Sequence, residues 1–298
     1  MTVVGTAQLR VGAVILTMGD RPDELRALLR SVAEQEGAPI EVVVVGNGAS
    51  LPDLPPGVRS LELPHNLGIP GGRNVGIEAF GPSGCDVDVL LFLDDDGLLP
   101  DTGTAELVRA AFDADPQLGI VSFRISDPQD GSTQRRHVPR LRASDPLRSS
   151  RVTTFLGGAN AVRTQVFKQV GGLPDNFFYA HEETDLAWRA LDAGWSIDYR
   201  ADLVLHHPAT APSRHAVYHR MVARNRVWLA RRNLPLPLIP VYLLDWLLLT
   251  VLRRPSRAAL RAWFGGFVEG WRTPCGPRRP MRWRTVWRLT RLGRPPVI

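Results

Sequence analysis

An apolar run, Val87-Asp88-Val89-Leu90-Leu91-Phe92-Leu93, empties into three consecutive aspartates, Asp94, Asp95 and Asp96. A strand-like segment that ends this way places acidic side chains at a sheet's carboxyl edge, where open α/β folds bind ligands. Two carboxylates separated by one residue can share a divalent cation, and hard oxygen donors suit Mg²⁺ or Mn²⁺. Such a cation holds a diphosphate and carries its negative charge as it leaves. The competing reading is an acidic turn that caps a helix starting near Asp101.

The neighbouring segments place this edge in an α/β sheet. Val11 to Thr17 reads as a buried strand, followed by the polar turn Met18 to Pro22 and a helix carrying Leu25, Leu28, Leu29 and Val32 at helical spacing. Ile40 to Val45 is a second strand ending in the turn-prone Gly46-Asn47-Gly48, and Val58 to Leu63 a third. A glycine-rich loop, His65 to Gly76, runs into a helix; such loops let a backbone approach a phosphate closely. A helix is expected from Asp101 to Ala114, a strand from Leu118 to Ile125, helices at Thr164–Val170 and Leu186–Ala193, and a strand at Ala201–Leu205 ending in His206-His207. Asp127 to Arg151, polar, basic and without periodicity, reads either as a flexible loop over a site or as a disordered surface insertion. Strands alternating with helices predict a parallel sheet with right-handed crossovers.

The chain is long enough for one large α/β domain plus an appendage, and its charge divides it. From Ser213 onward 18 arginines face only Asp245 and Glu269, whereas the residues before carry 18 basic and 28 acidic groups. An acidic body, 1–212, and a basic tail, 213–298, imply a polyanionic partner for the tail. Arg214 to Arg232 reads as a basic helix. Leu236 to Leu252 is strongly apolar but interrupted by Pro237, Pro240 and Asp245, which fits an interfacial or buried hairpin better than a membrane span. Trp263, Trp271, Trp283 and Trp287 follow among arginines, so anionic lipid is favoured over nucleic acid. Two cysteines without metal spacing, and no signal-like start, lead us to expect a cytoplasmic protein, peripheral on the inner face of the cell membrane.

Taken in order, the motifs resemble the family 2 glycosyltransferases of the GT-A fold. The matching pieces are the strand-turn start Val14 to Arg21, Asn66-x-Gly68…Gly72-Arg73-Asn74-x-Gly76, Asp94 to Asp96, Gly157-Gly158-Ala159, Glu182-Glu183-x-Asp185-Leu186-x-x-Arg189 and His206-His207. Arg224-Asn225 followed by an apolar stretch is similar to bacterial rhamnosyltransferase-like enzymes that build cell-surface glycans on lipid carriers. The resemblance implies a GT-A-type (Rossmann-like), mostly parallel sheet flanked by helices, with a helical membrane-associating tail. It also implies a hexosyl- or deoxyhexosyl-transferase that uses a UDP-, dTDP- or GDP-linked sugar with Mn²⁺ or Mg²⁺, on an acceptor such as a lipid-linked saccharide.

Carried onto this chain, the resemblance puts the metal on Asp94, Asp96 and one of His206 and His207, with His206 preferred. Arg73 would contact the base or diphosphate, beside Gly72, Asn74, Asp94, Asp95 and Gly158. The acid that such proteins often carry after the second strand is absent here, so base recognition would fall to Asn47, Thr17, Asp20 or Asn66, near Arg21. An inverting transfer needs a carboxylate to take the acceptor's proton. The box supplies Glu183, where the family usually has Asp, with Asp185 as the other candidate; a helix N-terminus decorated with acids is the alternative. A nucleotidyltransferase would instead release pyrophosphate, and a nucleic-acid-binding protein would use the tail to hold phosphates.

Overall fold

The computed structural model describes residues 8–141, 145–208, 216–253 and 255–298. β1 (Val11–Thr17) leads through α1 (Pro22–Ala33) to β2 (Glu41–Asn47) and β3 (Arg59–Leu63). α2 (Gly68–Glu78) then crosses back to β4 (Val89–Asp94), and α3 (Thr104–Ala114) leads to β5 (Leu118–Ser126). The strand order, with β6 (Ser150–Arg151), β7 (Ala159–Arg163) and β8 (Ser196–His206), is β3-β2-β1-β4-β7-β5-β8-β6.

The sheet is more mixed than the alternation of elements predicts. β3, β2, β1 and β4 run parallel, as do β5 and β8. β7 enters antiparallel between β4 and β5, and β6 pairs antiparallel with β8. β7 is five residues, Ala-Asn-Ala-Val-Arg, with no β-branched run to announce a strand; its pairing on both sides supplies what propensity does not.

Each strand alternates its side chains between two cores. Val14, Val43, Val45, Leu90 and Phe92 face one side, where α2, α4 (Thr164–Val170) and α5 (Glu182–Ala193) pack. Ala13, Ile15, Val42, Val44 and Leu91 face the other, against α1 and α3. The glycine-rich stretch is not a loop: Gly71, Gly72 and Gly76 lie inside α2. A Cβ at Gly72 would stand 2.4 Å from Leu16 Cδ1, and one at Gly76 would stand 2.3 Å from Val14 Cγ1. Glycine there brings α2 against β1, which accounts for glycines in a helix interior that they would otherwise weaken.

The junction between body and tail at 212/213, and Arg214, lie outside the described residues. Beyond it α6 (Ala216–Asn233), α7 (Leu238–Leu252), α8 (Arg257–Arg272) and α9 (Trp283–Arg291) do not form a separate core. Val227, Trp228, Leu229, Tyr242 and Leu289 belong to the same apolar cluster as Phe177, Leu186 and Trp188. The apolar stretch forms one helix, Leu238–Leu252, rather than a hairpin, because Pro237 caps its start and Pro240 sits in its first turn, where no intrahelical N–H is lost. Many tail arginines are engaged internally: Arg231 donates to Thr273 O at 2.9 Å, Arg278 to Leu234 O at 2.7 Å and Arg224 to Phe177 O at 2.9 Å. The basic surplus is therefore in part structural. Among the described residues no helix is long and apolar enough to cross a membrane.

Candidate active site

β4 delivers Asp94 to the carboxyl edge, where its N–H donates to Gly158 O at 3.0 Å. The chain then turns, and Leu98 and His206 exchange backbone hydrogen bonds of 2.9 and 2.8 Å. That exchange lays the end of β8 beside the aspartates. The side chain that reaches them is His207, not the preferred His206: its Nε2 stands 3.0 Å from Asp96 Oδ1. His206 is the last residue of β8, held there by its backbone, and the next residue is the one aimed at the cluster.

The three carboxylates have different environments. Thr17 Oγ1 donates to Asp95 Oδ2 at 2.6 Å, and burial pushes the Asp95 carboxyl up. Burial acts the same way on Asp96, but the His207 hydrogen bond and the His207 and Arg21 charges outweigh it and hold Asp96 below the usual range. In return the Asp96 bond raises the His207 imidazole. Arg21 caps Asp96 from the solvent side through a short contact. His137 stands edge-on to His207 at 6.4 Å, a neighbour that the unperiodic loop sequence gave no reason to expect.

Arg73, 5% exposed, joins two clusters. Its Nη2 lies 3.2 Å from Asp94 Oδ1 and its Nη1 3.6 Å from Glu183 Oε1. The segment expected to carry binding glycines makes room for this bridge. A Cβ on Gly157 would fall 2.1 Å from Glu183 Oε1, and one on Gly158 would fall 1.8 Å from Asp94 Cγ. Gly158→Ala must therefore push the Asp94 carboxylate away. Turnover is expected to fall roughly 10²-fold, the scale of an ångström misplacement; unchanged turnover would show that Asp94 is not held in its working position.

Thr17, Asp20, Arg21, Asn47, Asn66, Arg73, Asp94 and Asp95 all line one cleft of about 270 Å³ at this edge. Asn47 is buried and donates to Asn66 Oδ1 at 2.9 Å and Gly68 O at 3.1 Å, while its Oδ1 accepts from Leu67 N at 2.8 Å. It fixes the turn into α2. Three expected contacts, Gly72, Asn74 and Gly158, do not reach the cleft lining; Gly158 lies under the Asp94 carboxylate. Gly72 packs under Leu16, and Asn74 accepts from Leu173 N at 2.9 Å and donates to Leu173 O at 2.8 Å, tethering the loop before Asp175.

The acid box forms the first turn of α5, which starts at Glu182 and not at Leu186. The turn before it carries positive φ at three non-glycine residues, Phe178 (63°), Ala180 (72°) and His181 (72°). Such backbone persists only where surroundings enforce it. Here Asn225 of α6, fully buried, donates to Phe177 O, Tyr179 O and Ala180 O at 2.8, 2.7 and 2.9 Å. Ile69 N adds a bond to Phe178 O at 2.8 Å. The tail thus shapes the segment that aims the box.

The box acids have separate fates. Asp185 is 0% exposed and faces Arg189 Nε at 2.7 Å, Arg232 Nε at 2.8 Å and Asn233 Nδ2 at 2.7 Å. Paired on every side and sealed, its carboxylate is not presented to either cavity, unlike that of Glu183. Glu183 keeps its carboxylate partly open, 20% exposed, beside Arg73. Burial raises its carboxyl above the ordinary range and Arg73 pulls against that rise. Glu182 is 1% exposed, with Oε2 unpartnered, and burial together with the Glu183 charge drives it well up. Both glutamates line a second cavity of about 620 Å³, which shares Ile69 and Tyr179 with the cleft.

Among the described residues no three His, Cys, Asp or Glu side chains converge tightly enough to hold a metal ion. The expected set of Asp94, Asp96, His206 and His207 is therefore not ready-made: Asp94 turns to Arg73, and Asp96 is shared by Arg21 and His207. Magnesium-type sites, however, use one or two protein carboxylates and take the remaining donors from substrate phosphates. Asp96, the neighbour of the cleft-lining Asp95 and 3.0 Å from His207, supplies one such carboxylate.

A mixed sheet flanked by helices, with a carboxylate cluster and a buried Arg–Glu pair at one edge, is an α/β fold of the GT-A type. The model of the family described as Glycosyl transferase family 2 matches residues 13–171, and the chain belongs to that family. A pre-mycofactocin glycosyltransferase of Mycobacterium tuberculosis is 26% identical over 258 residues, covering 80% of this chain and 52% of that protein. The chain thus spans about half the length of the curated relatives it matches. Among solved structures, GalNAc-T7 with UDP, GalNAc and Mn²⁺ aligns with a TM-score of 0.63 at 13% identity, over 91% of this chain and 52% of the other. The Pyrobaculum calidifontis mannosyltransferase PcManGT with GDP-Man and Mn²⁺ aligns at 0.55 and 19% identity, over 90% and 77%. S. aureus TarS 1–349 with UDP-GlcNAc aligns at 0.58 and 14%, over 88% and 81%. These likenesses establish the shared fold.

Proposed function

We propose that this protein transfers a sugar from a nucleotide-diphosphate sugar to an acceptor hydroxyl with inversion at the anomeric carbon. The observation that carries the reading is the Arg73 bridge: one guanidinium touches Asp94 of the nucleotide cleft and Glu183 at the wall of the second cavity. Donor and acceptor sides meet there. Asp95, Thr17, Asn47 and Asn66 line the donor cleft, and Arg21 and Arg73 supply positive charge for a diphosphate. Asp96 and His207 would hold Mn²⁺ or Mg²⁺, which when bound offsets charge on the departing diphosphate. Glu183 takes the acceptor's proton. The nucleotides, nucleotide sugars and Mn²⁺ bound in the structural neighbours support this reading.

In this reading residues 1–212 form the nucleotide-sugar-binding and catalytic unit and 213–298 a helical tail that completes it. The tail's exposed apolar side chains on α7, Val241, Leu244, Leu248, Val251 and Leu252, recur at helical spacing and support peripheral contact with an anionic membrane. Placement on the inner face of the cell membrane, and an acceptor in cell-surface glycan or glycolipid synthesis, belong to the same reading.

Thermal-shift measurement with UDP, dTDP and GDP, each with and without Mn²⁺, tests the class. Stabilisation that requires nucleotide and metal together is expected for one base, with Asp96→Ala abolishing the metal's contribution while the melting of the free protein is retained. Binding indifferent to metal, or unaffected by Asp96→Ala, would remove the metal assignment. Release of pyrophosphate in place of a nucleoside diphosphate would make it a nucleotidyltransferase.

A further inference from the structure

The second cavity holds a concentration of positive charge that sugar transfer to a neutral hydroxyl does not require. Arg226, Arg253 and Arg294 line it, as do Glu182 and Glu183. Arg226 is only 8% exposed, and its Nε has no hydrogen-bond partner. Its guanidinium lies 3.4 Å from the centroid of the Trp246 ring, and that of Arg253 lies 5.9 Å from the same ring. Among the described residues none of these three arginines has a carboxylate within ion-pair distance, whereas the buried Arg73 and Arg109 each have one; Arg253 itself is exposed and Arg294 half-buried. Burial lowers the pKa of Arg226 and Arg294, yet a guanidinium stays charged at neutral pH.

Burying Arg226 and part of Arg294 without a counter-charge is costly unless something of opposite sign completes them. The internal candidates do not. Glu182 is driven towards its protonated form, and Glu183 is held beside Arg73. His181, also on the lining, is pushed well below its ordinary value by burial and by the charges of Arg226 and Arg294. The Trp246 face and a side-chain hydrogen bond between Arg226 and Tyr242 offset part of the cost but leave the Arg226 Nε–H without an acceptor.

We propose that this cavity is an anion subsite for the acceptor, in which Arg226, Arg253 and Arg294 bind a phosphate or diphosphate ester while Glu183 faces the reacting hydroxyl. The proposal rests on the glycosyl-transfer reading only in calling the ligand an acceptor. Planar guanidinium groups suit phosphate oxygens, and a cluster of three suits a diphosphate better than a single carboxylate.

Isothermal titration of the full chain with inorganic pyrophosphate, in the absence of divalent cations, tests it. Pyrophosphate is expected to bind more tightly than inorganic phosphate. Arg253→Gln and Arg294→Gln, both nearer the surface than Arg226, should each weaken binding about tenfold, one charge-assisted contact's worth. Arg21→Gln, in the nucleotide cleft, should leave in place the component of binding that Arg253→Gln and Arg294→Gln weaken. Absence of pyrophosphate binding, or binding lost in Arg21→Gln but kept in both other variants, overturns the subsite. Geranyl pyrophosphate binding more tightly than pyrophosphate assigns a lipid-borne ester, and equal binding a water-soluble one. The nucleotide–Mn²⁺ thermal shift on the same protein separates the two readings. Pyrophosphate binding without nucleotide binding would sink the proposed function and leave the anion site standing; the reverse would remove the anion site alone.

Discussion

Glu183→Gln is expected to keep nucleotide-sugar binding and lose transfer by roughly 10²–10⁴-fold, the scale of general base catalysis. The argument rests on position before basicity. Of the three box acids only Glu183 has a carboxylate that is partly open, reaches the second cavity and touches Arg73. The amide keeps the shape, and its carbonyl oxygen can still face Arg73, so the donor side should be little disturbed. Burial raises the Glu183 carboxyl, and a base works only when deprotonated, so the acid limb of the wild-type rate profile should lie above the usual carboxylate range. Glu183→Gln should erase that limb. The measurement is kcat and KM for transfer across pH, with donor affinity measured separately. A mild loss in Glu183→Gln together with a severe, pH-shifted loss in Glu182→Gln would hand the role to Glu182.

The β-α alternation and the acid cluster were legible because each is written locally. Uniform apolar strands, a helix with leucines at 3.6-residue spacing and an acidic edge all appear in short windows of sequence. What long-range pairing decides was not. The antiparallel insertion of β7 depends on strands 70 residues away, and the choice of His207 over His206 depends on the backbone exchange between Leu98 and His206. The helical state of Gly71, Gly72 and Gly76 comes from close packing on Leu16 and Val14, a reason for glycine that composition cannot separate from phosphate approach. Arg224-Asn225 stood out as a motif, yet its work, anchoring three carbonyls of the turn before Glu182, needed the packed chain to be seen.

Asp185 carries the second large effect, on stability. Asp185→Asn is expected to cost about 3–5 kcal/mol, the range for removing one partner of a buried ion pair. Arg189 and Arg232, 10% and 12% exposed in their side chains, both depend on this carboxylate. The amide would leave two desolvated guanidinium groups without a counter-charge, while the Asn233 contact could survive. Arg232 and Asn233 end α6, so the loss falls on the joint between tail and body, and the turn shaped by Asn225 would loosen with it. Burial would raise the Asp185 carboxyl, but Arg189, Arg232 and Asn233 outweigh it and the native value is depressed. A depressed carboxylate adds stability that is full above its unfolded pKa and declines as pH falls towards its native value. Wild type should therefore lose stability through the acid range more steeply than Asp185→Asn, whose curve should be flatter and lower at neutral pH. Urea unfolding at several pH values reads both effects. An unchanged midpoint at pH 7 with abolished transfer would show that Asp185 serves the reaction directly and that its burial is no obstacle to it.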